Sequence, residues 1–424
     1  MNQIFYFACF LLPFENLFFA PSAGWGALTP IVFAFYVLIN FKYLNKVVNR
    51  YKKIIVVALI GIVITLINMI FINNKEIVLA VTRMANTIII LGLGFVNLFA
   101  FDIYINQKHG SIKKIEKILI ITYTISLFVG VLQFFALKFN ISIIRQLDLI
   151  LSKRSYLPYN RVQFTFTEPS FIGMHLFGIL LPIYIYGNNK KIRNLIIVFS
   201  VLSVVFGSGV RILLDIAVVV GVLILQKLDM RKAKNIIIVF GSILILIIGG
   251  RYVYSNNYRV QQIVKDGVYA DGSFASRWFR VNASIKGYQK DWTHALLGYG
   301  YGQEIYPLKQ GYNEAAIEYK NAYIVEVQQL RNAETTAEES TSYCFYIRIV
   351  SEMGLIIFVI LVCWFVKEWL KIKDGMWRAL LTIVVYLLLQ FESYAFYTIW
   401  LVMALLIRYK REKTEKISRN LEKE

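Results

Sequence analysis

Arginine is the residue whose placement in this chain points most directly to chemistry. Six basic segments (42–53, 101–117, 187–194, 227–234, 367–378 and 408–424) hold 27 Lys and Arg, of which 7 are Arg. Of the 19 basic residues elsewhere, 11 are Arg. Where only positive charge is needed, Lys serves as well. Arg adds a planar, permanently charged fork that grips phosphate through paired hydrogen bonds. Arg161, Arg277 and Arg280 lie outside the long apolar runs, whereas Arg211 and Arg348 lie at or within them. An ion at membrane depth costs roughly 2.5–3.5 kcal/mol on insertion scales, so such residues are rarely idle. Arg211 is four residues before Asp215, and Arg348 four before Glu352. Each is read as a phosphate ligand or as half of a self-neutralising helical pair. Arg83 has no local partner.

Among the acids, Glu168 stands out in Phe166-Thr167-Glu168-Pro169-Ser170-Phe171. Pro169 suits the first turn of a helix, which places Glu168 at its N-terminus. There a carboxylate either complements the helix dipole or accepts a proton from a substrate. His175, seven residues on and on the same face, reads as a satisfied intramembrane histidine, and His294 as a surface or site residue. The histidines show no ligand spacing, and Cys9, Cys344 and Cys363 build neither a disulfide framework nor a paired-cysteine metal site. No metal and no cofactor is expected. A phosphate-binding G-x-x-x-x-G-K-[ST] loop is missing, and Gly298-Tyr299-Gly300-Tyr301-Gly302 reads as a flexible turn.

These residues must be positioned by a membrane protein. Of 424 residues, 58% are hydrophobic and 17% charged, against about 25% charge in a soluble chain. The apolar residues fall in long runs, as membrane-spanning helices require. Spans are expected near 3–20, 27–41, 54–72, 78–100, 118–137, 170–186, 195–207, 212–226, 235–250, 343–366, 379–391 and 395–407. The expectation is an all-α polytopic protein of about twelve spans. Residues 1–250 form the first nine, 251–342 a large external connection, 343–407 the last three, and 408–424 a basic tail. Every second connection is basic, which places those connections and both termini in the cytoplasm. No Lys or Arg precedes the first apolar run, so it is read as a span and not a leader. Within 251–342, Phe274, Trp278, Val281, Ile285 and Tyr288 are spaced as one apolar helix stripe. Glu334 to Ser342 is linker-like, with Thr341 or Ser342 able to cap the tenth span.

The net charge of +20 is then mostly topology. The basic segments carry 27 positive and 9 negative residues, and the rest 19 and 17. Nucleic acid is not needed to explain it.

Four motifs, taken in order, resemble bacterial polysaccharide repeat-unit polymerases of the Wzy type within the O-antigen ligase/polymerase superfamily. Glu168-Pro169-Ser170 is similar to their E-P-S motif, and Gly207-Ser208-Gly209-Val210-Arg211 to a Ser-Arg step opening a later span. Arg277-Trp278 through His294-Ala295-Leu296-Leu297-Gly298-Tyr299-Gly300 resembles an R-W…H-P-L-L-G-x-G signature. Ser342-Tyr343 through Glu352-Met353-Gly354-Leu355 is similar to H-N-x-Y-L…E-x-G-L. The chain departs at Ala295, where Pro is usual, at Val210, where Ser is usual, and at Tyr343-Cys344, where ligases carry an important His. The resemblance implies a metal-independent glycosyltransferase of the bacterial cytoplasmic membrane. Undecaprenyl-pyrophosphate-linked oligosaccharide would be its substrate, joined into O-antigen, capsule or exopolysaccharide on the outer face. The lipid bilayer, a chain-length regulator and a flippase are the implied partners. On that reading Arg211, Arg277 and Arg280, with Arg161 and Arg348, hold the donor pyrophosphate, and Glu168 orients or deprotonates the acceptor. His294 and Tyr343 join the substrate-binding set. Two other functions remain open. One is an O-antigen ligase, disfavoured by the missing His. The other is a lipid-linked sugar flippase, disfavoured because the connection after the ninth span breaks two-half symmetry.

Overall fold

The computed structural model describes residues 2–19, 28–71, 76–227, 258–267, 272–318 and 343–421, with isolated positions between 241 and 255. Every regular element among them is helical. The ninth expected span (235–250) and the Glu334–Ser342 linker with its capping residues fall outside the described residues.

Among the described residues five helical stretches are long and apolar enough to cross a membrane: Phe41–Met69, Ile77–Gln107, Ile112–Lys138, Pro169–Gly187 and Phe345–Lys371. Asn2–Leu11, Thr29–Ile39 and Gly375–Leu388 are apolar but shorter. Large apolar side chains such as Leu59, Val63, Leu66, Val359 and Ile360 face outward. This is the inverse of a water-soluble surface and is compatible with a polytopic helical membrane protein.

We label the helices α1 (Asn2–Leu11), α2 (Thr29–Ile39), α3 (Leu44–Met69), α4 (Ile77–Asp102), α5 (Ile112–Lys138), α6 (Ser142–Leu151), α7 (Pro169–Gly187), α8 (Lys190–Val205) and α9 (Val210–Lys227). They are followed by α10 (Tyr258–Asp266), α11 (Gly272–Lys290), α12 (Trp292–Leu297), α13 (Ile305–Glu318), α14 (Phe345–Lys371), α15 (Gly375–Leu388) and α16 (Tyr397–Leu421). The basic tail expected at 408–424 is thus largely a continuation of the last helix.

The centre of the bundle is α7, buried from Ile172 through Ile183. Small residues let neighbours close on it. A Cβ on Gly173 would lie 2.0 Å from Asp215 Oδ2 of α9, and one on Gly178 would lie 2.0 Å from Thr398 Oγ1 of α16. Glycine is therefore required for these helices to approach. Aromatic packing supports the other side, with Phe5 of α1 stacked on Tyr104 at 4.1 Å.

Two expectations are corrected in the long connection. The apolar stripe of α11 lies on a helix as expected but is not the face that packs on α13: Phe274, Trp278 and Ile285 are exposed, and Tyr288 turns to Ser351 of α14. The face that packs on α13 is Ala275, Phe279, Ala283 and Gly287. The helices lie so close that a Cβ on Gly287 would lie 1.9 Å from the Pro307 carbonyl oxygen, so small side chains decide which face is buried. The second correction concerns Gly298–Gly302, which is not a loose turn. It is threaded between α3, α4 and α14. Tyr299 and Gly300 donate their N–H groups to the carbonyls of Ser351 (2.7 Å) and Glu352 (3.0 Å). Tyr301 N–H donates to Thr65 Oγ1 (2.7 Å), its hydroxyl to the Ala58 carbonyl (3.1 Å), and Gly302 N–H to Glu352 Oε1 (3.0 Å). Gly298, Gly300 and Gly302 all take positive φ. The glycines serve close approach, one of two uses of glycine that sequence cannot separate.

The docking depends on a break in α14. Gly354 has φ 82° and ψ 162°, a conformation essentially reserved for glycine. A continuous helix would direct the Ser351 and Glu352 carbonyls to the amides of residues 355 and 356. Here they receive the loop.

Candidate functional site

The residues singled out by type converge at one end of the bundle. Glu168 is the residue that precedes the first turn of α7, and its side chain makes no bond to the backbone of that turn. Its Oε1 pairs with Arg154 Nη1 at 3.2 Å, and its Oε2 accepts from Ser170 Oγ at 2.9 Å. Arg154 stands over the Tyr156 ring, 4.7 Å from its centroid, and Arg161 stands over the same ring at 5.6 Å. Arg161 also donates to the Ser208 carbonyl through Nε and Nη2, both at 3.2 Å, and so ties the 152–170 connection to the start of α9. This contact needs Gly209, whose φ is +157° and whose Cβ would lie 2.8 Å from Arg161 Nη2.

Arg211, in the first turn of α9, is not half of a helical ion pair. Its Nη2 donates to the Gln390 carbonyl at 3.1 Å and lies 3.6 Å from Met174 Sδ. Asp215 is instead held by the Tyr386 hydroxyl (2.7 Å) and Gln390 Nε2 (2.9 Å). The charges of Asp215, Arg277 and Glu168 all act on Arg211, so residues on or next to α7, α9 and α11 share its electrostatic surroundings. Neither Arg211 nor Arg277 forms an ion pair among the described residues. Arg211 Nε, Ser208 Oγ and Thr167 Oγ1 are buried without a protein hydrogen-bond partner.

From Arg277 the cluster continues to Tyr343, just before α14. Arg280 lies 4.3 Å and Arg277 5.9 Å from the Tyr343 ring centroid. Tyr343 has φ 52°, uncommon for a bulky residue, and its N–H donates to Glu392 Oε2 at 2.5 Å. The Glu392 carbonyl accepts from Arg348 Nη1 at 3.2 Å.

Arg348 does form the helical pair, but it faces two acids: Glu352 Oε1 at 3.1 Å and Glu304 Oε1 at 3.3 Å. It lies 4.6 Å from the Tyr394 ring centroid, and Tyr394 donates to Glu352 Oε2 at 2.5 Å. The Arg348 site is therefore carboxylate-rich, whereas the Arg211–Arg277–Arg280 site is arginine-rich.

Three residues go elsewhere. His294 pairs with Asp291 (2.7 Å) and stacks on Tyr299 at 4.7 Å, on the docked loop. Partial burial works against the Asp291 anion, but hydrogen bonds from the His294 backbone and ring outweigh it and hold the carboxyl below its ordinary range. His175 does not reach Glu168. It is fully buried between Glu15 (2.9 Å) and the Tyr123 hydroxyl (2.8 Å). Arg83 reaches Gln303 Oε1 at 3.0 Å and the Tyr306 ring at 5.7 Å.

The sequence reading missed Arg154, Tyr156, Glu304, Gln390, Glu392 and Tyr394. The last three belong to the non-helical stretch between α15 and α16. Its signal was the polar pair Gln390 and Glu392 where two apolar runs meet.

Comparison of this sequence with known protein families finds no match, and neither does comparison with curated proteins.

Proposed function

We propose that this protein is a membrane glycosyltransferase that polymerises oligosaccharide repeat units carried on a lipid diphosphate. Undecaprenyl pyrophosphate would be the carrier, and the outer face of a bacterial cytoplasmic membrane the site of reaction. Both termini and the basic connections would lie in the cytoplasm, with 251–342 outside.

One observation carries the reading. Arg211 and Arg277 act on each other as like charges, and although the charges of Asp215 and Glu168 also reach Arg211, neither arginine makes a direct ion pair with a carboxylate among the described residues. Two guanidiniums held together without a direct ion pair keep hydrogen-bond donors available and favour an anion with oxygens for both. A diphosphate suits that geometry, and Arg280 beside Tyr343 extends the cluster.

In the proposed reaction an acceptor hydroxyl oxygen bonds to the anomeric carbon of the donor sugar. The bond from that carbon to the diphosphate oxygen breaks, and its electron pair leaves with the lipid diphosphate. Arg211, Arg277 and Arg280 would stabilise that developing charge, as preorganised cations do. The hydroxyl proton would pass to Glu168, whose carboxylate keeps free lone pairs beside its bonds to Arg154 and Ser170. Release of the diphosphate supplies the driving force, so no nucleotide is required. The Arg348 site would order Tyr343 and the 390–394 stretch.

The test is to incubate purified protein with a lipid-diphosphate-linked repeat unit and resolve the products by size. A ladder is expected, together with its loss in Arg211→Ala and Arg277→Ala at normal protein levels. A ladder that survives both substitutions would overturn the site. A single unit added to a lipid-A-type acceptor would make the protein a ligase, and vesicle transport without product a flippase.

A further inference from the structure

Helix α6 is built inside out. Its polar residues turn toward the protein. Arg145 Nε donates to the Ala136 carbonyl at 3.2 Å, and Asp148 accepts from Gln133 Nε2 at 2.8 Å and from Ser155 Oγ. Its apolar residues turn away: Ile143, Leu147 and Ile150 are 64%, 50% and 66% exposed, and they form one stripe at i, i+4 and i+7. Phe18 and Phe19 extend that face, because Phe18 N–H donates to the Leu151 carbonyl at 3.1 Å. A stripe of this kind on a helix tied down by its polar side is suited to hydrocarbon, not water.

The stripe is continuous with the candidate site. Two residues, Ser152 and Lys153, separate Leu151 from Arg154, a reach of at most about 11 Å. The N-terminal strap fixes that distance: Lys153 N–H donates to the Asn16 carbonyl (2.9 Å), and Arg154 N–H to Asn16 Oδ1 (3.1 Å). Arg154 is 58% exposed and reaches Glu168. A diphosphate arriving at Arg154 must leave its alkyl chain on the apolar side of that cation, which is α6.

We propose that the outward stripe of α6, with Phe18 and Phe19, is the seat of the hydrocarbon chain of the lipid-diphosphate substrate. The helix then selects substrate by its chain as well as by its charge. This inference rests on the lipid-diphosphate reading above.

The experiment places a photoreactive phenylalanine analogue singly at Leu147, at Ile150 and at Val359, an outward residue of α14 that serves as the bulk-lipid comparison. Each protein is reconstituted in nanodiscs with a radiolabelled long-chain polyprenyl-diphosphate oligosaccharide and irradiated. Substrate adducts are expected at positions 147 and 150 and not at 359. Equal labelling at all three positions overturns the inference and makes α6 a membrane anchor. In parallel, Leu147→Ser with Ile150→Ser should raise KM for a long-chain donor by about tenfold, with kcat unchanged and a ten-carbon donor unaffected. Equal loss for both donors also overturns it. A wild-type protein that turns over the long-chain donor while labelling evenly refutes the α6 seat alone. One that neither turns over nor labels with any lipid diphosphate refutes the underlying function.

Discussion

Replacing Gly354 by Ala tests how the long connection is held to the bundle. Alanine would have to adopt φ 82°, ψ 162°, and its Cβ would lie 2.2 Å from the Leu296 carbonyl oxygen and 2.5 Å from the Leu297 carbonyl carbon. Backbone in such a region costs about 1–3 kcal/mol for a non-glycine residue. The alternative is for α14 to run straight, where Ala gains up to about 1 kcal/mol over Gly. A straight helix reclaims the Ser351 and Glu352 carbonyls and frees the amides of Tyr299 and Gly300, each hydrogen bond being worth about 0.5–1.5 kcal/mol net. The balance disfavours docking by roughly 2–5 kcal/mol, a shift of about thirtyfold to several-thousandfold in the docked population. Hydrogen exchange at Tyr299 and Gly300 measures that population directly. Gly92→Ala is the matched control, because a Cβ there meets nothing within 4 Å. It should leave exchange unchanged and stability equal or slightly higher. If Gly354→Ala exchanges no faster than Gly92→Ala, the helix break is not what docks the loop.

Three further outcomes follow from the site. Glu168→Gln should abolish product formation with little change in melting temperature, since the Arg154–Glu168 pair is largely exposed and such pairs contribute about 0–1 kcal/mol. Equal loss of stability and activity would make Glu168 structural. Glu352→Leu should destabilise the protein by about 2–6 kcal/mol, because it strands the Gly302 N–H and the buried Tyr394 hydroxyl, each at about 1–3 kcal/mol, while Arg348 keeps Glu304; denaturant titration in detergent reads this. The Asp291 carboxyl is held below its ordinary range, so its stabilising contribution is complete above its unfolded value of about 4 and is lost as pH falls through the lower folded value. Exchange protection of 292–302, corrected for intrinsic rate, should therefore fall with acidification in that window, and Asp291→Asn should remove the dependence.

Much of the bundle was legible because hydrocarbon imposes a simple rule: long apolar runs are helices. The same rule made the site arginines visible, since an ion in or beside such a run must have a use. Arg211 was found this way, although its helical pairing with Asp215 was an equal expectation. The packing shows that Tyr386 and Gln390 engage Asp215 Oδ1 while Arg211 donates to the Gln390 carbonyl, so the two charges act on each other without a direct ion pair. The α11 stripe gave the helix but not its buried face. Periodicity shows which face is most apolar, whereas burial was decided by how closely Gly287 and Gly311 allow α13 to approach. Glu304 carried no local signal, because its role arises from a contact with Arg348 across a long stretch of chain, and Glu392 was marked only as a polar residue between two apolar runs.

The docked loop and the arginine cluster are mechanically one unit. Arg277 and Arg280 are carried on α11, outside the bundle, whereas Arg211 belongs to α9 within it. Like charges do not hold these elements together; Arg277 beside Arg211 costs energy in the absence of an anion. The attraction must come from elsewhere, and the described contacts are the Gly298–Gly302 thread, Tyr288 to Ser351 at 2.7 Å, and the two acids around Arg348. The carboxylate-rich half therefore offsets the repulsion that the arginine-rich half needs in order to bind. A consequence separates this account from one in which each arginine acts alone. Gly354→Ala, which touches no arginine, should weaken diphosphate binding to the extent that it undocks the loop, whereas Gly92→Ala should not.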